Sequence, residues 1–245
     1  MSQADWGFLS GSLTDASVKR GPTAGITAPS GGGSHVYGFA SVDNSPGVVA
    51  LYCLQANFSP VPGIRGGRIQ AAMRRTSIGA ATGFAPFLFF CAQSANVNAN
   101  AYMLGLSDEA SGKIQLRKGP ILAGMSAVPD VNPLASPNTL MRSENGYPAD
   151  EWQHLRLDVV IQGTGDVILQ VFRNNLAAHT VGAPVWETIP GMQGPFSSFA
   201  GFVDDALAVN TGTVPLAGGY MGFGARFDAA NRATYFDHIN VDRQL

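Results

Sequence analysis

The histidines and serines of this chain are the first places to look for catalysis or metal binding, and their spacing favours neither. The histidines are His35, His154, His179 and His238. They lack the His-x-His and H-E-x-x-H spacings that bring two imidazoles onto one metal ion. The G-x-S-x-G pattern of a serine nucleophile is also missing from the sequence. Because His154 and His238 lie in strand-like runs, we interpret them as outward-facing or hydrogen-bonded structural residues.

The acidic residues are spaced unfavourably for sugar chemistry as well. Glycoside hydrolysis requires two carboxylates roughly 5 to 10 Å apart, which on one strand means i, i+2 or i, i+4 spacing. None of the four glutamates, Glu109, Glu144, Glu151 and Glu187, has an acidic partner at that spacing on a convincing strand. We therefore predict no catalytic residue and no cofactor, with a hydrolase built on an unfamiliar site as the alternative.

Two adjacent acidic pairs, Asp108-Glu109 and Asp204-Asp205, raise the question of calcium. Neighbouring residues of a strand point to opposite faces, so we interpret both pairs as solvated turn residues and predict no metal site. A loop calcium ion at either pair is the alternative, with Asn210 near the second pair, because carboxylate and carbonyl oxygens suffice for this ion.

A long hairpin over residues 151–176 is the clearest structural element in the sequence. Apolar and polar residues alternate on both sides of the turn Gly163-Thr164-Gly165-Asp166, as in strands with one buried face. The predicted core residues, including two from later strands, are Leu155, Leu157, Val159, Val167, Leu169, Phe223 and Ile239. The opposite face is predicted to meet solvent or a neighbouring subunit through His154, Arg156, Asp158, Gln170 and Phe172.

The rest of the chain reads as short strands separated by turns, with 30 glycines and 15 prolines. This pattern predicts an all-β fold, namely a single antiparallel jelly-roll β-sandwich with long Pro/Gly-rich loops. We predict one domain over 1–245, with an extended arm considered for about the first 20 residues. The stretches 119–150 and 177–218 are expected to interrupt the strands, and helix is limited to a turn or two near Asp204 to Ala208.

Composition excludes several classes of protein. Apolar residues make up 45% of the chain and charged residues 13%, with a formal net charge of −2, which argues against disorder and against a nucleic-acid partner. The N-terminus lacks the pattern of a signal peptide, and the run "FAPFLFFCA" is shorter than the roughly 20 residues of a membrane helix. Cys53 and Cys91 lie in apolar stretches, and we predict that both are buried and reduced.

The C-terminal part resembles a known fold superfamily. "EWQHLRLDVVIQ", the polar turn, "DVILQVFRN", "GGYMGFGARF" and the closing "ATYFDHINVDRQL" appear in the order typical of the concanavalin A-like lectin/glucanase and laminin-G-like jelly roll. The motifs of the superfamily are recognisable over roughly residues 150–245. In the first half of the chain, the resemblance is limited to the presence of similar strands. The Glu-x-Asp-x-x-Glu strand of the glucanase branch is missing, so the resemblance implies no catalysis here. The segment "AYMLGLSDEASGKIQLRKGPILAGM" resembles phage virion proteins of this class.

These observations favour a non-enzymatic virion component that uses a lectin-like fold for assembly, decoration or host-surface adhesion. Its expected partners are other virion proteins, other copies of itself in a homo-oligomer within the particle, and host-surface glycans. We expect it to bind neither nucleic acid nor a membrane. Its expected location is the virion, after synthesis in the host cytoplasm. A carbohydrate-binding module or lectin is the alternative, with Trp186 or Tyr147 as aromatic anchors, and a glycan hydrolase ranks below it.

Overall fold

The computed structural model describes residues 6–10, 19–21, 26–33, 36–40, 47–53, 66–75, 84–126, 138–189, 191–192, 201–227 and 233–244. These ranges contain fifteen strands, and their only helical element is one 3₁₀ turn over Ile121–Ala123. The strands are β1 (Trp6–Ser10), β2 (Lys19–Gly21), β3 (Val36–Ala40), β4 (Gly47–Cys53), β5 (Gly66–Arg75), β6 (Phe84–Ala92), β7 (Asn100–Leu106), β8 (Ser111–Pro120), β9 (Asn138–Pro148), β10 (Gln153–Ile161), β11 (Val167–Asn174), β12 (Trp186–Thr188), β13 (Gly201–Asp204), β14 (Tyr220–Phe227) and β15 (Ala233–Gln244).

Within the described ranges, the strands form two antiparallel sheets. The seven-stranded sheet has the order β1-β4-β14-β6-β7-β8-β9, and the eight-stranded sheet has the order β12-β11-β10-β5-β15-β3-β2, with β13 paired to β11. The chain passes repeatedly from one sheet to the other, for example from β5 to β6, from β9 to β10 and from β14 to β15. This is a jelly-roll sandwich, and the predicted all-β class is confirmed.

The predicted hairpin is β10 and β11. Its pairing is continuous from His154↔Asn174 to Ile161↔Val167, and the turn is closed by the Gln162 N–H, which donates to the Asp166 carbonyl at 2.9 Å. Gly165 has φ +92°, a conformation that glycine adopts without strain. β10 also pairs with β5, so the hairpin lies inside the sheet and one of its faces must be buried.

The main core lies between the two sheets. Three phenylalanines from different strands, Phe39, Phe223 and Phe236, pack with ring centroids 5.0 to 5.6 Å apart. Six of the seven predicted core residues are almost completely buried there: Leu155, Leu157, Val159, Val167, Leu169 and Phe223. The seventh, Ile239, is only partly buried. It lies in a bulge between Asp237 and Asn240, where the strict alternation of the strand is lost.

A second apolar cluster covers the outer face of the seven-stranded sheet. Phe87, Phe89 and Met103 are fully buried there beneath Ile121 and Met125, which come from the segment after β8. β6 is therefore buried on both faces, which explains why "FAPFLFFCA" is a continuous apolar run and not an alternating one.

Two expectations about the connecting segments are wrong. Residues 138–148 form the strand β9. Its proline, Pro148, does not prevent this, because it lies at the end of a strand at the sheet edge, where a missing N–H is tolerated. Short strands β12 and β13 likewise interrupt the stretch 177–218. The predicted helix near Asp204 is a hydrogen-bonded turn, since the Asp205 carboxylate accepts the N–H groups of Val209 and Asn210 and Ala208 has φ +58°.

The described residues include only part of the N-terminus and the side chain of only one of the two cysteines. Trp6–Ser10 is a strand paired with β4, and the single-domain interpretation stays a prediction. Cys91 is a buried free thiol, as predicted, whereas the side chain of Cys53 lies outside the described residues.

The described residues include no helix long and apolar enough to cross a membrane.

Candidate functional site

The outer face of the eight-stranded sheet carries a continuous set of polar and aromatic side chains, which we call the polar face. Successive residues of a strand point to opposite sides, and residues paired across strands share a side. The outward positions of β10 therefore define a surface that the register extends onto β5, β11, β12 and β15. Its members are Arg68, Gln70, Ala72, His154, Arg156, Asp158, Gln170, Phe172, Asn174, Trp186, Asp237, Asn240 and Asp242.

A pair of arginines holds one carboxylate at the centre of this face. Arg68 donates to both oxygens of Asp158, at 2.8 and 3.0 Å, and Arg156 donates to one of them at 2.9 Å. The hydrogen bond to Asp158 raises the pKa of Arg68, whereas burial lowers the pKa of Arg156. Both Asp158 oxygens are occupied by guanidinium donors, so this carboxylate is poorly placed to donate a proton to a substrate.

Two aromatic rings flank the Arg156 guanidinium. Its central carbon lies 4.2 Å from the centroid of the Phe172 ring and 5.1 Å from that of Trp186. Both rings are partly exposed, Phe172 on β11 and Trp186 on β12. Cation–π contacts of this kind fix the orientation of all three planar groups. The result is a preformed surface with apolar planes and hydrogen-bonding edges.

His154 lies deeper in the polar face and has no exposed surface. Its ring packs against Trp186 in a T-shaped arrangement, with centroids 4.7 Å apart, and its Nδ1 lies 3.2 Å from the Asn174 amide nitrogen. Burial, together with the smaller effect of the nearby His238, lowers the pKa of His154 to about 4. The imidazole is therefore neutral at pH 7.

One end of the polar face is closed by two loops that contact each other. The Val181 N–H donates to the Ser30 carbonyl at 2.9 Å, and the Trp152 indole donates to the Thr27 carbonyl at 2.9 Å. Asn174 joins the second loop to the sheet by donating to the Thr180 carbonyl. These contacts place the loops 26–33 and 175–185 as a wall beside Trp186 and His154.

The expectation that the outward hairpin residues meet solvent is wrong for two of them. His154 is fully buried and Asp158 is 8% exposed, because the loops, Trp186 and the arginines cover them. Arg156, Gln170 and Phe172 are partly exposed, as a ligand-accessible surface requires. Contact with a neighbouring subunit stays a prediction.

The two aromatic anchors proposed from sequence behave differently. Trp186 is partly exposed on the polar face. Tyr147 is only 7% exposed and belongs to the core, with the Arg173 guanidinium 4.9 Å from its ring centroid. Tyr147 is therefore not available as a surface anchor.

The calcium alternative at Asp204, Asp205 and Asn210 does not fit the geometry. Asp204 is fully buried and accepts from Lys118, Tyr102 and Thr211. Asp205 accepts backbone N–H groups, as described above, and the Asn210 amide donates to the Val203 carbonyl. The carboxylate oxygens of Asp204 and Asp205 are therefore already occupied by protein donors.

The other acidic pair is occupied in a similar way. Glu109 accepts from Ser107 and Arg142, and Asp108 lies 3.7 Å from the Arg226 guanidinium. Across the described ranges, no group of three or more His, Cys, Asp or Glu side chains is arranged to hold a metal ion. Neither acidic pair is therefore arranged as a calcium site.

Several members of the polar face were not singled out from sequence. Arg68 and Gln70 lie at alternate positions of β5, and Asp237 lies in the closing strand β15. Alternation of polar and apolar residues was visible in each segment. These residues lie on one face because β5 pairs with both β10 and β15, and this pairing joins residues at least 80 positions apart along the chain.

No protein-family model matches the chain, and no curated protein matches it. Among solved structures, it is similar to the carbohydrate binding module CBM66 from Bacillus subtilis, with 7% identity, 97% of this chain and 95% of that chain covered, and a TM-score of 0.47.

Two further solved structures show the same level of similarity. The legume lectin-like domain from Entamoeba histolytica has 7% identity, coverage of 99% and 91%, and a TM-score of 0.49. A prokaryotic β-1,3-1,4-glucanase (lichenase) derived from a mouse hindgut metagenome has 7% identity, coverage of 100% and 95%, and a TM-score of 0.47. These structure neighbours have folds of the concanavalin A-like lectin/glucanase type. The jelly-roll sandwich of this chain rests on its own two sheets and their strand order.

Proposed function

We propose that the protein is a non-enzymatic glycan-binding module whose polar face holds the sugar. The observation that carries this proposal is the arrangement of Arg156 between Phe172 and Trp186, at 4.2 and 5.1 Å from the two ring centroids. A sugar ring has an apolar C–H face and a rim of hydroxyl groups, so it suits a fixed surface with aromatic planes and polar edges.

The neighbouring side chains supply further hydrogen-bonding groups of the required kind. Gln70 and Asn240 pair across β5 and β15 in the same row as Arg156, and Gln170 on β11 is paired with Asp158. Each amide side chain both donates and accepts hydrogen bonds, as a hydroxyl group does. Asn240 is exposed and therefore open to a ligand.

The charge balance of the face favours a neutral glycan over a strongly charged one. Asp158 neutralises one of the two arginines that contact it, and Asp242 adds a second negative charge near Arg68. Two arginines and two aspartates thus lie in adjacent rows, which leaves no large net charge to attract an anionic polymer.

The test is binding of the purified full chain to an immobilised array of neutral oligosaccharides. We expect at least one glycan to bind, and we expect Trp186→Ala and Asn240→Ala to weaken that binding about tenfold or more, the effect of losing one good contact. Leu122→Ala is the matched control, because Leu122 is 51% exposed in the segment that covers the other sheet. Failure to bind any glycan, or equal binding by all variants, would contradict the proposal.

We further propose that the module is a virion component that assembles with other copies of itself. This proposal is supported by the resemblance of residues 101–125 to phage virion proteins and by three exposed apolar side chains on one segment. Leu207, Val209 and Val214 are 85%, 71% and 68% exposed. Exposed apolar groups close together are typical of protein contacts, and the Asp205 hydrogen bonds hold this segment in a defined shape.

Sedimentation of the full chain tests the self-assembly. We expect an oligomer that dissociates in the variant Leu207→Asp/Val209→Asp, while Leu122→Asp sediments as the wild type does. A monomer at all concentrations would contradict self-assembly. Mass spectrometry of purified particles tests the virion location separately, and absence of the chain from the particles would contradict it.

A further inference from the structure

The tautomer of His154 follows from the hydrogen bonds of Asn174. The Asn174 side-chain oxygen accepts the Val185 N–H at 3.1 Å, and its nitrogen donates to the Thr180 carbonyl at 3.2 Å. These two contacts fix which end of the amide is nitrogen. The same nitrogen lies 3.2 Å from His154 Nδ1, so it donates and Nδ1 accepts. A neutral imidazole that accepts at Nδ1 carries its hydrogen on Nε2.

This Nε2–H group is a buried donor without an acceptor. The His154 side chain has no exposed surface, and its Nε2 has no hydrogen-bond partner among the residues that the structure describes. Leaving such a donor unsatisfied is unfavourable, and a group of this kind in a folded protein calls for an explanation.

A buried acceptor without a donor lies on the same face. Asp237 and His154 are the two cross-strand neighbours of Ala72, one on β15 and the other on β10. Asp237 Oδ1 accepts the His238 N–H at 2.7 Å, whereas Oδ2 is buried and has no partner within the described part of the chain. Burial raises the pKa of Asp237. The residue between them in this row, Ala72, projects only a methyl group.

We propose that His154 Nε2–H and Asp237 Oδ2 form a subsite for one hydroxyl group of a neutral sugar. The hydroxyl oxygen accepts from His154 and its hydrogen is donated to Asp237, which satisfies both groups at once. The subsite lies one row from Arg156 and beside Trp186, so it deepens the proposed glycan-binding function and rests on it.

A glycine turn covers this subsite. A Cβ atom on Gly32 would lie 2.4 Å from Asp237 Oδ2, and one on Gly31 would lie 2.5 Å from the Thr180 side chain. The turn therefore packs directly on the subsite and on the segment that Asn174 holds. Sugar binding requires this turn to move, and a side chain at position 32 would displace the Asp237 carboxylate.

The test uses the full chain labelled with ¹⁵N-histidine. The probes are methyl β-D-glucopyranoside, methyl β-D-galactopyranoside and methyl α-D-mannopyranoside, and the readout is the long-range ¹H–¹⁵N spectrum of the His154 ring. Without sugar, we expect hydrogen on Nε2 and none on Nδ1. At least one glycoside should shift the Nε2 signal, and its affinity should fall about tenfold in Asp237→Asn, the effect of one lost hydrogen bond.

Gly32→Ala tests the same subsite without changing either polar group. Gly32→Ala should lower the affinity for the glycoside about as much as Asp237→Asn does. Gly33→Ala should leave the affinity unchanged, because a Cβ at position 33 meets nothing within 4 Å. Urea unfolding of each variant establishes that it is folded.

The outcomes separate this inference from the proposed function. Array glycans that bind while no methyl glycoside shifts the His154 signal would overturn the subsite and leave the glycan-binding proposal standing. If Asp237→Asn and Gly32→Ala both bind the glycoside with wild-type affinity, the subsite is likewise overturned and the glycan-binding proposal still stands. Absence of binding to the methyl glycosides and to every array glycan would overturn both.

Discussion

Lys118 and Asp204 form an ion pair that joins the two sheets. The Lys118 Nζ lies 2.7 Å from Asp204 Oδ2, and their side chains are 5% and 0% exposed. Lys118 belongs to β8 of the seven-stranded sheet, and Asp204 to β13, which pairs with β11 of the other sheet. Lys118 also donates to the Thr213 and Val214 carbonyls. The pair thus anchors the segment that carries the exposed Val214.

Breaking this pair should destabilise the protein strongly. Asp204→Asn removes the carboxylate charge 2.7 Å from the buried Lys118 Nζ, and we expect a loss of about 3–5 kcal/mol in the free energy of unfolding. The matched control is Asp150→Asn, which weakens a pair with Arg74 at 3.5 Å in which Asp150 is 46% exposed. It should cost less than about 1 kcal/mol. Urea unfolding measures both, and equal losses would show that the buried pair is not what holds the sheets together.

Leu157 tests the core face of the hairpin. It is fully buried between the sheets on β10, so Leu157→Asp places an unpaired charge in the core and should destabilise the protein by several kcal/mol. Gln162→Asp at the exposed hairpin turn should change the unfolding free energy by about 0.5 kcal/mol or less. Circular dichroism during urea unfolding measures both, and a stable Leu157→Asp variant would refute the orientation of the strand.

Cys91 should be unreactive in the folded protein. Its thiol is fully buried, and burial raises its pKa, so very little reactive thiolate is present at neutral pH. In a Cys53→Ser variant, we expect reaction with a thiol reagent to be slow in buffer and fast in concentrated urea. Equally fast modification under both conditions would contradict the burial of Cys91.

His154 should make the stability fall in mild acid. Its pKa is about 4 in the folded protein against 6.5 as the ordinary value, so between these values the unfolded chain binds a proton that the folded chain does not. The free energy of unfolding therefore decreases as pH falls from 6.5 to 4, by up to about 3 kcal/mol.

The His154 contribution is isolated by comparison with His154→Gln. The charged or titratable neighbours on this face, Asp237, His238 and Arg156, are present in both proteins, and the raised pKa of Asp237 acts in the opposite direction. As pH falls from 6.5 to 4, we expect the free energy of unfolding of the wild type to decrease relative to that of His154→Gln. A difference independent of pH would show that His154 is not held neutral.

The sequence by itself determined the fold class and the main hairpin. Leu155, Leu157 and Val159 are buried because alternation in a strand assigns each residue to a face whatever its partner strands are. The glycine-containing turn closed the hairpin by local backbone preference. Where alternation fails locally, as at Ile239 in the bulge of β15, the same reasoning gave the wrong burial.

Only the tertiary structure decided what the outward face does. The sequence correctly placed His154, Arg156 and Asp158 on one side of β10, but their burial and partners depend on Arg68, Trp186 and Asp237. These residues come from other strands, and their pairing is a long-range property that local patterns do not encode. The candidate site therefore arises from sheet register, which brings unrelated segments together on one surface.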